Sequence, residues 1–368
     1  MVSLRSRSAR RVLHTVLPAL VLGPFVATAE DPAGAAGDTR RTALLVFVSY
    51  GEYTSTPLNP TIVRRTGSAV LAEILADASH DIVTYPEIEP VLREWRVRSE
   101  RDIGFEFLEA VVSEHRVSQV VIARFAIHAD RVLLLARGLF PASGDLAWVD
   151  VVEELLIGPD RGEEGDPLAR LERAMRAAGI RLADRRAVAE PGGVAGNLVT
   201  LPLRPVGLGR GLSDVATHCL LRSLLAAGRW SVPDPTLVVF TLQREGFDPF
   251  ELEEGSRRFL AFRFATESVL VPRLASFPTT VRTRSAAIDD GDGDGGFPPE
   301  IGREDPVFFS VVLIRCDSGV VVSGASEYLA RENRIGIFGT GKDVRTARRF
   351  QMGADRLVRS LIPTEGSG

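Results

Sequence analysis

The stretch GIFGTGKD at 336–343 comes within one residue of the phosphate-binding pattern G-x-x-x-x-G-K-[ST], and Lys342 is the only lysine in the chain. A phosphate loop uses its last Ser or Thr to hold Mg²⁺, whereas Asp343 sets a carboxylate where phosphate charge would lie. Between Asp343 and Gly368 there is room for one amphipathic helix, not for the parallel strands that carry a metal-binding acid. We read Gly339 and Gly341 as a turn, with Thr340 or Asp343 capping the last helix.

DDGDGDGG at 289–296 places Asp290, Asp292 and Asp294 at the spacing of a calcium loop, with Gly295 at the turn. The bidentate glutamate of such a loop falls on Ile301, with Glu300 one place early, so these are weak calcium candidates. A flexible acidic insertion between strands is the plainer reading. His14, His80, His115, His128 and His218 occur singly, with no H-E-x-x-H, which argues against zinc. His218 and Cys219 are neighbours and so point to different faces of a helix, unlike a nucleophile and its base. Cys219 and Cys316 read as two buried thiols, with a disulfide between them the alternative. There is no G-x-S-x-G elbow, and Glu153-Glu154 and Glu253-Glu254 read as solvated faces. Phe247, Phe250, Phe259, Phe262 and Phe264 form a core cluster or a partner groove. No catalytic constellation and no cofactor is implied.

Residues 1–29 have Arg5, Arg7, Arg10 and Arg11 without an acid, then an apolar run from Val12 to Val26, then Ala27-Thr28-Ala29. That is the layout of a signal peptide cut after Ala29. The run is interrupted by His14, Pro18, Gly23 and Pro24, too poor for a spanning helix. The expected location is therefore periplasmic or secreted, with no transmembrane segment after cleavage. The chain carries a formal charge of -4 at pH 7, and losing the arginine-bearing leader makes it more acidic still. An acidic surface argues against nucleic acid or anionic lipid as the main partner.

VLAEILADASHDIV (70–83) aligns with LLRSLLAAGRWSVP (220–233) so that Leu71, Ile74, Leu75 and Ile82 fall on Leu221, Leu224, Leu225 and Val232. A strand precedes each helix, TALLVFV or NLVTLPL, and a second helix and then SQVVIARF or ESVLVPRL follow it. Asn59-Pro60 and Ser213-Asp214 supply helix starts, and Gly228 suits a left-handed C-terminal residue. Each half closes with two strands and a helix: RVLLLARGLF, LAWVDVVEEL and the helix after Asp166-Pro167; then PVFFSVVLIR, VVVSGASEYLA and a helix from about Asp343. The period is domain-sized, so the chain is a duplication. The expected class is α+β, in two similar domains of order β-α-β-α-β-β-β-α, each a mixed sheet with helices packed on one side. The domains are expected at 42–180 and 197–362, each with its own core, joined by a linker at 181–196.

GRWSV, the unit ESVLVPRL through RCDSGVVVSG, and VSQVVIARFAIHADRVLLLARGLFPASGDLAWVD resemble the N-terminal domain of TolB and its CsgG-type and LpoB-type relatives. In the first copy Ser79-His80 replace Arg229-Trp230, so its match lies mainly in the hairpin region. The resemblance implies a tandem, non-enzymatic envelope adaptor that binds another envelope protein. A periplasmic small-molecule or calcium-binding sensor, using the cleft between the copies, is the alternative. A ring-forming membrane channel is disfavoured, since no long alternating strands suited to a barrel are present.

Overall fold

The computed structural model describes residues 40–50, 58–76, 80–127, 131–156, 166–186, 196–206, 210–276, 307–329 and 346–362. The leader, the calcium-like loop at 289–296 and GIFGTGKD lie outside the described residues.

The first half runs β1 (Arg40–Tyr50), α1 (Pro60–Leu75), β2 (His80–Val83), α2 (Tyr85–Glu94), α3 (Phe105–His115), β3 (Gln119–Ile127), β4 (Arg131–Leu139), β5 (Leu146–Leu155) and α4 (Pro167–Arg186). The second half runs β6 (Gly196–Thr200), β7 (Arg204–Val206), α5 (Arg210–Ala226), β8 (Trp230–Ser231), α6 (Pro235–Arg244), α7 (Glu254–Phe264), β9 (Ser268–Ser276), β10 (Val307–Arg315), β11 (Val321–Leu329) and α8 (Thr346–Leu361). The sheet orders are β2-β1-β3-β4-β5 and β8-β6-β9-β10-β11, with β7 also pairing β9. In each, the first three strands pair in parallel and the last three antiparallel. The two halves thus share one topology, and the α+β duplication read from the sequence is the observed fold. Even a local irregularity recurs: the ladder shifts register at Gly138/Leu139 and at the matching Leu313/Ile314.

The local signals act as expected at several element ends. Asn59 caps α1, its side chain accepting from the Thr61 amide at 2.9 Å with Pro60 behind it. Gly228 ends α5 at φ +65°, a conformation in which a side chain would be strained. Two details differ from the expected order. Each stretch read as one second helix is two helices, α2 with α3 and α6 with α7. The break follows Arg96, at φ +56°, where Asp102 caps a 3-10 turn (Glu100–Asp102), and Gly246 at φ +81°. The helices also divide between the faces. Leu44 and Val46 meet α1 and α4 in one cluster, whereas Ala43, Leu45 and Phe47 meet α2 and α3 in another.

The expected linker is shorter than read, because α4 continues to Arg186 and β6 begins at Gly196. Thr39–Gly368 forms one compact unit. Beside a cluster within the first half and a smaller one of second-half residues, a shared cluster joins β4, β5, α2 and α3 of the first half to α5, α8, β9 and β10 of the second. No helix among the described residues is long and apolar enough to cross a membrane.

Candidate protein-binding surface

The halves meet along a seam that places every other surface. The Leu146 amide donates to Val232 O at 2.9 Å and the Asp234 amide to Gly144 O at 3.0 Å, so the sheets are stitched edge to edge. Gly144, at φ +76°, lets Leu237 and Phe105 close over the turn; a Cβ there would lie 2.8 Å from Leu237. Beneath the stitch lies a buried ionic cluster. Arg137 of β4 donates to Asp234, to Glu100 and, at 3.2 Å, to Thr236 Oγ1. Arg124 of β3 reaches Glu100 at 3.2 Å and Asp214 of α5 at 2.8 Å.

Electrostatics keeps Glu100 and Arg137 of this cluster charged. Burial works against ionised Glu100, but Arg137 and Arg124 outweigh it and hold its carboxyl down at about 2. Burial likewise opposes charge on Arg137, and Asp234 and Glu100 reverse it, so its pKa is raised. His218 lies against the same arginines: burial first, then the Arg137 charge, lowers it to about 4. Its Nδ1 is 2.8 Å from Asp214 O, a carbonyl that can only accept, so the neutral ring carries its proton on Nδ1. The Nε2 is then a buried acceptor with no hydrogen-bond partner among the described residues.

The seam also determines which sheet surface is used up. Leu133, Leu135, Val149 and Val151 of β4 and β5 share a cluster with Val215, Ala216, Cys219 and Leu220 of α5. Buried Glu153 takes Arg131 at 2.6 Å and faces the Ala347 amide at the start of α8. The free edge of β5 is closed by Asp150, which accepts from Arg185 of α4 at 3.2 Å and from Arg222 of α5 at 3.0 Å. The acids read as a solvated pair, Glu153 and Glu154, are both buried; Glu154 faces the other way, toward Arg181 at 2.7 Å.

Registering β9 and β10 on β3 and β4 carries Leu133, Leu135, Val151 and Glu153 onto Phe308, Ser310, Ser326 and Tyr328. There, no described element takes the place of α5. Phe308 and Tyr328 sit directly opposite each other with rings 5.0 Å apart, 41% and 52% exposed. Val320, Val321 and Val322 are more than half exposed at the hairpin end. This aromatic surface, bordered by exposed Arg273 of β9 opposite Ser310, is the candidate binding site.

Other residues singled out by type lie elsewhere. Cys219 and Cys316 are free, buried and in different clusters; burial raises both thiols, Cys316 to about 11. The phenylalanines divide: Phe247, Phe259 and Phe264 pack against the lower face of the second sheet, while Phe250 and Phe262 are exposed, Phe262 at 83%. Among the described residues no group of His, Cys, Asp and Glu is arranged to hold a metal ion. The seam cluster was not found from sequence, although Arg124 and Arg137 each interrupt an apolar strand and so demand a buried partner.

No protein-family model and no curated protein matches the chain. Several solved structures are similar to parts of it, three of them as follows. Lipoprotein GNA1162 from Neisseria meningitidis is 12% identical, covering 36% of this chain and 81% of its own, with TM-score 0.25. The LpoB C-terminal domain from Salmonella enterica is 12% identical over 40% and 91%, with TM-score 0.25. A PelC dodecamer from Paraburkholderia phytofirmans is 12% identical over 41% and 91%, with TM-score 0.24. Likeness at these scores carries no argument about function.

Proposed function

We propose that this chain is a non-enzymatic adaptor, exported to the bacterial envelope, that binds another envelope protein through the β10–β11 surface. The observation that carries this reading is the contrast between equivalent surfaces: Leu133 and Val151 are buried by α5, whereas Phe308 and Tyr328 are 41% and 52% exposed. Large exposed aromatics are the residue types that anchor protein interfaces. The resemblance of both halves to TolB-type and LpoB-type domains supports an envelope partner, and the acidic net charge disfavours nucleic acid. The duplication then supplies one site and one support, since the first copy's face is covered by the second.

The sensor reading draws less from the seam. Phe105, Phe240, Phe259, Arg244 and Arg263 line a cavity of about 150 Å³ there, below the ~300–1,000 Å³ of small-molecule pockets.

The test is a crosslinked pull-down of the tagged chain from its own envelope extract, beside the double variant Phe308→Ser/Tyr328→Ser. One near-stoichiometric partner lost in the variant supports the site. Equal capture by both proteins, or none by either, overturns it.

A further inference from the structure

The sheet edges of this protein are closed in different ways, with one exception. The β2 edge is four residues long and carries Asp81 in an ion pair with Arg41 at 2.7 Å. The β5 edge is closed by Asp150 with Arg185 and Arg222. The β8 edge is two residues long and continues into the seam. The β11 edge runs for nine residues, VVSGASEYL, with no strand partner on its outer side among the described residues. Its one charged residue, Glu327, lies 3.4 Å from Arg356 of α8 and leaves the opposite face uncharged. A long edge without proline, whose single charge is paired on one face, is a template for another strand, because only an extended chain satisfies its alternate N–H and C=O groups.

We infer that the occupant of this edge is β11 of a second copy, paired antiparallel across a two-fold axis near Ser326. The inference rests on the strand and not on the adaptor reading. In such a pairing Ser326 meets its own counterpart, Gly324 and Ala325 lie opposite Tyr328 and Glu327 of the other copy, and no like charges are brought directly opposite each other. The register shift at Leu313/Ile314 confines regular pairing to Ser323–Leu329, whose midpoint is Ser326. The chain already joins its own two sheets edge to edge at the seam, so the dimer continues an arrangement that the fold uses once. A head-to-tail stack that repeated the α5–β5 contact is ruled against by the first half's helices. Exposed Arg65 and Glu73 of α1 stand where α5 has Val215 and Ser223, so α1 is a charged cap and not a second cover. The two-fold pairing brings the Phe308–Tyr328 pairs of both copies onto one continuous sheet face, making the adaptor bivalent.

The experiment is sedimentation equilibrium of the exported form, residues 30–368, without any partner, on the wild type and on Ser326→Lys and Ser326→Glu. The wild type is expected at twice the mass of one chain. Each variant alone is expected at single-chain mass with an unchanged thermal midpoint, since Ser326 is exposed. An equimolar mixture of the two is expected to recover the doubled mass, in a form weakened by salt. A wild type that stays at single-chain mass at every concentration overturns the pairing. So does a dimer indifferent to both substitutions, or a mixture that fails to recover. In each of those cases the adaptor reading stands or falls separately on its pull-down.

Discussion

Arg137 on β4 of the first half donates its Nε–H to Asp234, the N-cap of α6 in the second, and their side chains are 3% and 1% exposed. Removing one member of a buried pair leaves the other uncompensated, which costs about 3–5 kcal/mol. Arg137→Met is expected to lower stability by that order in denaturant unfolding. Adding Glu100→Gln and Asp234→Asn to it is expected to recover part of the loss, because no orphaned charge then remains.

Acid acts on the same seam. The folded-state pKa of His218, about 4, lies below its ordinary 6.5, so on acidification the unfolded chain takes up a proton first. Stability present above about pH 6.5 is therefore withdrawn as pH falls toward 4, by on the order of 3 kcal/mol for this group. Glu100, depressed from 4.5 to about 2, adds a second loss across that lower interval. Thermal midpoints measured from pH 7 to pH 4 are expected to fall, and His218→Gln is expected to flatten the upper part of that curve.

The seam turn at Gly144 combines a positive φ with two side chains closed over it. Gly144→Ala adds backbone strain and a clash with Leu237 and Phe105, together about 1–3 kcal/mol. Amide exchange is expected to show faster opening at Leu146 and Asp234, whose hydrogen bonds span the seam, than at β1 and β3.

Both cysteines are buried and their thiols are pushed up from the ordinary range. A thiol-specific chromophore is expected to label neither in the native chain and both in denaturant. Labelling of neither in denaturant, reversed by reductant, is the signature of a Cys219–Cys316 bridge.

Much of the fold was legible because it is written twice. Leu71 and Leu221, Leu75 and Leu225, and Ile82 and Val232 occupy equal places, and repetition at one offset is evidence that a single helix pattern lacks. The split of each middle helix was not legible. Residues 85–115 keep apolar residues at helical spacing across the break, and Arg96, which turns left-handed, is no turn former by type. The seam escaped for another reason: Glu100, Arg137, His218 and Asp234 are brought together from distant parts of the chain, and no local spacing records that. The open face did leave a trace. RVLLLARGLF sets Leu133 and Leu135 on its covered side, whereas PVFFSVVLIR carries Ser310 at the place of Leu135.

The cover that the second half places on β4 and β5 also fixes the order in which this protein can mature. Synthesis delivers the first half ahead of the second. Leu133, Leu135, Val149 and Val151 then remain wet until α5 arrives, and Glu153 waits for α8 near the other end of the chain. The first half is therefore a sticky intermediate during its own delivery, and the last helix is the closure that ends that exposure.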